Sequence, residues 1–160
     1  LCRAILTKPH TGETDSMLLE NLLLATDNII TYRRRYRSYL NLHTVLEQLL
    51  NDHSAPRSLI YQLEKLQTNL KLLPREQVGF NLSPEEKLLL SAQTKLRLID
   101  LSAAIEVDEE SELRQGLDDL FSELSSLLSE MSMTISKYYF THAEVPHPLI
   151  TLPPELDDVI

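Results

Sequence analysis

Residues 83–103 read SPEEKLLLSAQTKLRLIDLSA. Ser83 and Glu86 have the spacing of a capping box, in which each side chain bonds the other residue's backbone N–H, and Pro84 suits the first helical position. The apolar residues that follow recur at helical steps and are predicted to be buried: Leu88, Leu89, Ala92, Leu96, Ile99 and Ala103. This stretch therefore predicts a capped amphipathic helix.

The same spacing on both sides predicts two long helices, over about residues 15–40 and 109–142. Asn41 is placed to cap a short helix between them, and Pro56 to begin another that Pro74 ends. We therefore predict an all-α fold, an antiparallel helical bundle of about five helices.

The predicted bundle occupies residues 14–148. Residues 1–13 are predicted to be disordered or a linker, and the proline-containing residues 149–160 an extended tail. Because the chain opens on Leu1 with no helical start, we expect it to be a fragment of a longer protein.

Composition limits the class of protein. The chain has 160 residues, only 3 glycines and no tryptophan, which is typical of helices joined by short turns. Its single cysteine, Cys2, excludes an internal disulfide and a cysteine pair on a metal, so we expect a reducing, cytoplasmic location. No apolar run reaches the roughly 18 residues of a membrane-spanning helix, and we expect no membrane partner.

Charge is distributed unevenly along the chain. Residues 1–80 contain 10 Lys and Arg against 8 Asp and Glu, whereas residues 81–160 contain 5 against 16, within a net charge of −9. The acidic half would repel a phosphate backbone, so only the basic cluster Arg33–Arg37 could contact nucleic acid. We expect no nucleic-acid partner.

That basic cluster supplies most of the candidate ligand-binding residues. Helical spacing directs Tyr32, Arg33 and Tyr36 toward the bundle, with Arg35 beside them. A buried guanidinium requires an anionic partner, and the tyrosine hydroxyls could complete its hydrogen bonds. Two interpretations remain open: an internal ion pair, or a site for a phosphate or carboxylate group.

Two further candidates lie elsewhere. Arg57 is predicted in the first turn of a helix, where its charge opposes the helix dipole, so a salt bridge or a ligand is expected to hold it. His142 falls on the core line of the last helix, and its spacing from Glu144 and His147 lacks the i,i+4 pair of a helical zinc site. We therefore predict no metal site, no cofactor and no catalytic residues in this fragment.

Four segments resemble a known family. They are ITYRRRY at residues 30–36, PRSLIYQL at 56–63, LSPEE at 82–86 and YFTHAEVP at 139–146. In this order they resemble the C-terminal half of the bacterial Alpha-E domain, over about residues 18–148. Two features depart from the family pattern: Ala55 replaces an asparagine cap, with Ser54 as a possible substitute, and the Glu-Arg motif that names the family is absent.

The resemblance implies a helical domain found alone or fused behind a circularly permuted ATP-grasp domain, often encoded beside transglutaminase-like proteins. It implies an accessory or interaction domain of a bacterial peptide-ligation or peptide-modification system that works with an ATP-grasp ligase. The expected partners are an ATP-grasp domain, in the same chain or as a neighbour, a transglutaminase-like protein, and a second copy of the fragment. Such a domain is expected to show an exposed apolar groove, or to form a homodimer that covers it. The alternative is the anion- or peptide-binding half of a catalytic site, built from the candidate arginines and tyrosines, which is expected to show a positively charged pocket.

Overall fold

The computed structural model describes residues 2–10, 12–37, 39–73 and 81–140, and these parts of the chain are helical and contain no strand. Eight α-helices are present in them: α1 Cys2–Leu6, α2 Gly12–Ala25, α3 Ile29–Tyr36, α4 Leu42–Leu46, α5 Leu59–Leu70, α6 Pro84–Leu98, α7 Leu101–Ala104 and α8 Gln115–Ile135. Two π-helical turns, Glu47–Asn51 and Ser136–Phe140, extend α4 and α8. The predicted all-α bundle is confirmed.

Helices α6 and α8 form the central pair of the bundle. Tyr139, beyond the end of α8, donates a hydrogen bond of 3.0 Å to Glu85 at the start of α6, whereas Lys95 pairs with Glu123 in the first half of α8. The two helices are therefore antiparallel. Their facing side chains form much of the core, which includes Leu89, Ala92, Leu96, Leu117, Leu120, Leu124 and Met131.

The start of α6 confirms the predicted capping box. The Ser83 hydroxyl accepts a hydrogen bond of 3.4 Å from the backbone N–H of Glu86, whose carboxylate accepts one of 3.0 Å from the Ser83 N–H. Pro84 occupies the first helical position, as predicted. The helix ends earlier than expected, because the chain becomes extended at Ile99 and Asp100. The Asp100 carboxylate then caps the short helix α7. This restart buries Ala104 instead of the predicted Ala103.

The predicted long helix over residues 15–40 is wrong in two respects, because it ends at Tyr36, where Arg37 is left-handed, and because it is broken between α2 and α3. Asp27 adopts a left-handed conformation with φ 54°, and the N–H groups of Asp27 and Asn28 bond the carbonyls of Leu24 and Leu23. These two bonds define a Schellman motif, which ends a helix. The usual sequence signal is glycine at the left-handed position, and the chain has aspartate there.

The second long helix begins at Gln115 and not at residue 109, since residues 108–114 form turns in which the Asp108 carboxylate accepts backbone bonds. Its apolar line continues as predicted to Ile135. In the following π-helical turn the wider spacing rotates the chain, so Tyr139 packs against α6 and Tyr138 is 60% exposed.

Residues 2–10 also differ from the predicted disordered segment, because Leu6 of α1 is buried in the core. Arg114, which directly precedes α8, holds α1 in place. Its guanidinium donates to the carbonyls of Leu6 at 3.0 Å and Lys8 at 2.8 Å, and its backbone N–H donates to Thr7. These bonds satisfy carbonyl groups at the end of α1 that would otherwise lack partners.

No helix in the described residues is long and apolar enough to cross a membrane. The predicted tail of residues 149–160 and the end of the predicted bundle lie outside the described residues.

Gly116 lies where α8 passes closest to α7. A Cβ added at Gly116 would stand 2.8 Å from the Cα of Ala104, which is too close for any real side chain. We expect Gly116→Ala to lower the free energy of unfolding by about 1–3 kcal/mol, as overpacking does, despite the better helix propensity of alanine. Urea unfolding followed by circular dichroism measures the change.

The matched control is Gly12→Ala, because no atom lies within 4 Å of a Cβ added at Gly12. We expect that variant to be neutral or slightly more stable. Equal stability of the two alanine variants would contradict a close contact between α7 and α8.

Candidate functional site

Arg35 of α3 forms an ion pair with Asp52, which directly follows the π-helical turn Glu47–Asn51. The Asp52 side chain is 5% exposed, and its other oxygen accepts bonds from the N–H and hydroxyl of Ser54 at 2.9 and 2.7 Å. Burial acts to raise the pKa of Asp52, but the Ser54 bonds and Arg35 outweigh it and hold that pKa below its usual 3.8. Asp52 is therefore a charged side chain whose oxygens are both engaged.

The backbone of Asp52 also positions α5. Its carbonyl accepts the Ser58 hydroxyl at 2.5 Å, and that hydroxyl accepts the backbone N–H of Tyr61 at 3.2 Å, so Ser58 caps the helix. The predicted helix start at Pro56, with Ser54 as cap, is wrong. Ser54 is bonded to Asp52, and the helix begins at Leu59.

Tyr32 and Tyr36 face inward, as predicted. Tyr32 is 0% exposed, and its hydroxyl shares a hydrogen bond of 2.6 Å with Thr44 of α4. Tyr36, whose ring centre lies 4.9 Å from that of Tyr32, donates a bond of 3.0 Å to the Glu47 carboxylate. Burial, then the bond to Glu47 and its charge, raise the pKa of Tyr36 to about 12. The two tyrosines therefore attach α3 to α4 and its π-helical turn.

Arg33 does not face inward, and that prediction is wrong. Its side chain is 69% exposed and pairs with Glu20 of α2 at 2.6 Å. Arg33 and Arg35 lie on either side of the inward-facing Tyr32 and Tyr36, and neither arginine is buried. The Arg35 side chain is 49% exposed, but its guanidinium reaches the buried Asp52. Both arginines lie on α3, only two residues apart.

Arg57 lies in the turn before α5 and pairs with Asp27 at 2.8 Å. Both side chains are more than half exposed, so the pair adds little stability. Because Arg57 is outside the helix, the predicted conflict with the helix dipole does not arise. The predicted salt bridge is present.

A cleft of about 430 Å³ lies beside Arg35. It is bordered by α3, by one face of α4 with its π-helical turn, and by the junction between α6 and α7. Its lining residues are Arg35, His43, Glu47, Asn51, Asp52, Ile99, Asp100 and Leu101. The structure thus brings Arg35 to a concave site and leaves Arg33 and Arg57 on other surfaces.

The remaining predicted site residue, His142, lies outside the described residues. Within residues 2–10, 12–37, 39–73 and 81–140, no three His, Cys, Asp or Glu side chains are grouped closely enough to hold a metal ion.

The helical architecture and the position of the four motifs agree with one family. A family described as "a predicted alpha-helical domain with a conserved ER motif", named Alpha-E, matches residues 1–140. The chain belongs to the Alpha-E family. Within this Alpha-E chain, the Glu-Arg dipeptide of the family description does not occur.

Curated relatives of this Alpha-E chain are uncharacterised proteins of Mycobacterium tuberculosis and Mycobacterium bovis. Each is 33% identical over 129 residues, which is 81% of this chain. The chain spans 13% of the length of these relatives. No solved structure matches the chain significantly.

Sequence reasoning missed most of the residues that line the cleft of this Alpha-E domain. His43, Glu47 and Asn51 are spaced four residues apart and form one polar strip beside the buried Leu46 and Leu50. That spacing could have predicted a shared polar face on this helix. The contribution of Asp100 was not readable, because it depends on how α6 and α7 pack against α4.

Removing the charge of Asp52 tests whether its ion pair stabilises the Alpha-E fold. We expect Asp52→Asn to lower the free energy of unfolding at pH 7 by about 1–3 kcal/mol, because the Arg35 guanidinium would then face an amide. A carboxyl whose folded pKa is lowered contributes stability above its unfolded pKa and loses it as pH falls through the folded pKa. The difference between the two proteins should therefore shrink below about pH 4.

Urea titrations from pH 7 to pH 2 measure this difference. Glu20→Gln is the control, because it breaks the exposed pair with Arg33 and should change stability by less than about 1 kcal/mol. A pH-independent cost of Asp52→Asn would show that the charge of Asp52 is not what stabilises the fold.

Proposed function

We propose that this chain is a helical accessory domain of a bacterial peptide-ligation or peptide-modification system, and that it acts by binding an ATP-grasp ligase. Membership of the Alpha-E family supports the proposal, together with the neighbourhood that the family resemblance implies. The chain spans 13% of its curated relatives, whose length leaves room for other domains. A cytoplasmic location, where a ligase has ATP, goes with this proposal.

The observation that carries the proposal is an exposed apolar residue at a groove. Leu98, at the end of α6, is 78% exposed and lines a groove of about 370 Å³ between α6 and the first half of α8. The other lining residues are Thr94, Lys95, Ile99, Gly116, Asp119, Leu120 and Glu123. Leu98 together with Ile99 and Leu120 gives this groove an apolar centre, and the charged residues around them give it a polar rim, as in protein-binding surfaces.

The same groove could serve the expected homodimer, or a transglutaminase-like protein. We favour the ligase because the resemblance connects the domain with ATP-grasp proteins, in the same chain or as neighbours. Dimerisation then becomes an outcome that the experiment below must separate.

The alternative function, an anion-binding half of a catalytic site, has less support. Each of the three candidate arginines is bonded to a carboxylate of the chain: Arg33 to Glu20, Arg35 to Asp52 and Arg57 to Asp27. The cleft beside Arg35 has three carboxylates against one guanidinium. A phosphate or carboxylate ligand would meet repulsion there.

Leu98→Glu tests the proposed surface. We expect the ATP-grasp ligase of the same system to form peptide bonds faster when this chain is present. We expect Leu98→Glu to weaken binding of the chain to the ligase, and to reduce the increase in rate, by about tenfold or more, as loss of a hot spot does. Product formation by mass spectrometry and affinity by surface plasmon resonance measure the two effects.

Leu72→Glu is the matched control, since Leu72 is 80% exposed beyond the end of α5 and lines neither the groove nor the cleft. Sedimentation analysis of both variants detects a homodimer. If ligation is the same with and without the chain, or if Leu72→Glu is equally harmful, the proposal is wrong.

A further inference from the structure

The cleft beside Arg35 is assembled from three separate parts of the chain. Arg35 comes from α3, the polar face of α4 and its π-helical turn gives His43, Glu47 and Asn51, and Asp52 follows in the turn. The junction of α6 and α7 contributes Asp100 with its two apolar neighbours. A volume of about 430 Å³ suits a small ligand or one extended side chain.

Negative charge dominates this cleft. The guanidinium of Arg35 forms an ion pair with Asp52, so the two side chains together carry no net charge. The carboxylates of Glu47 and Asp100 remain, and they exceed the positive charge of the cleft even if His43 is protonated. The cleft is thus suited to a cation and not to the anion that the arginine cluster suggests.

Each of these two carboxylates has one oxygen already fixed by the protein. One oxygen of Glu47 accepts the Tyr36 hydroxyl at 3.0 Å. One oxygen of Asp100 accepts the backbone N–H groups of Ser102 and Ala103 at 2.9 and 3.2 Å. The side chains are therefore held in place, and within the described residues the second oxygen of each has no protein donor.

The cleft also has an apolar part. Ile99 and Leu101, on either side of Asp100, line it and are largely buried in the core around them. An aliphatic stem could pack against these side chains while its charged end reaches the carboxylates, as lysine stems do elsewhere.

We propose that this cleft binds the ammonium or guanidinium group of a ligand with an aliphatic stem. Glu47 and Asp100 accept hydrogen bonds from the cationic group, and Ile99 and Leu101 contact the stem. The ion pair of Arg35 and Asp52 lines another side of the cleft and adds no net charge to it. The ligand is a free amine or the side chain of a lysine or arginine in a peptide, which share this chemistry. The proposal does not rest on the ligase partnership, because Glu47 and Asp100 do not line the groove at Leu98, although Ile99 lines both.

Titration of the full chain with cationic probes tests the proposal. The probes are cadaverine, as a free diamine, and N-acetyl-lysine methylamide, as a peptide side chain, with N-acetyl-norleucine methylamide as the uncharged control and N-acetyl-glutamate methylamide as the anion. We expect saturable binding of at least one cationic probe, observed by isothermal calorimetry and by shifts of backbone amide resonances near Glu47 and Asp100. The tighter of the two cationic probes identifies the source of the ligand.

Two isosteric variants identify the acceptors. Glu47→Gln and Asp100→Asn keep the shape of each side chain, and asparagine can still cap α7. We expect each to weaken binding of the cationic probe by about tenfold, because each removes a charge-assisted hydrogen bond. Glu130→Gln, an exposed carboxylate of α8 outside the cleft, removes the same charge and should leave the affinity unchanged.

Three results would overturn the proposal. They are the absence of saturable binding by both cationic probes, equal or tighter binding of the anionic probe, and equal weakening by Glu130→Gln and Glu47→Gln. If Asp100→Asn unfolds the protein, as judged by circular dichroism, Glu47→Gln and the resonance shifts decide the question.

Discussion

The ion pair between Arg35 and Asp52 is the contact on which the arrangement of α3, α4 and α5 depends. The Asp52 carboxylate joins the end of α3 to the turn after α4, and its carbonyl holds Ser58, the cap of α5. A buried carboxylate is tolerated only when its oxygens are bonded, so the Asp52 side chain requires Ser54 as well as Arg35. Loss of Arg35 would leave the buried Asp52 carboxylate with the Ser54 bonds alone and would remove the connection between α3 and this turn.

The same pair determines the chemistry of the cleft. If Arg35 were free, its guanidinium would offer a binding site for carboxylate or phosphate. Because Asp52 neutralises it, the carboxylates of Glu47 and Asp100 dominate the field. Tyr36 strengthens this arrangement, since its hydroxyl donates to Glu47 and its ring lies against Tyr32 in the core. The contacts that hold the fold together, Arg35 with Asp52 and Tyr36 with Glu47, therefore favour a cationic ligand in the cleft over an anionic one.

Sequence patterns predicted the parts of the fold that depend on neighbouring residues. The capping box at Ser83 and the apolar line of α8 as far as Ile135 are local, and both are present. The break at Asp27 was missed because aspartate takes the left-handed position that glycine usually occupies. The helical period correctly placed Tyr32 and Tyr36 on the inner face, but it also assigned an inward position to Arg33, which is 69% exposed. Only the packing of the helices shows that Arg35, whose guanidinium reaches Asp52, is the arginine that lines the cleft.

The cleft itself could not have been predicted from composition, because both halves of the chain contribute to it. The acidic excess belongs to residues 81–160, yet Glu47 and Asp52 come from the half that carries a small positive charge. Asp100 reaches them only because the chain leaves α6 at Ile99 and restarts as α7, a turn that its own carboxylate caps. The residue that ends one helix and begins the next thereby becomes a wall of the cleft. The Asp100 side chain therefore caps α7 and also supplies negative charge to the cleft. A sequence pattern can show the cap, but not the charge in a cleft formed with distant residues.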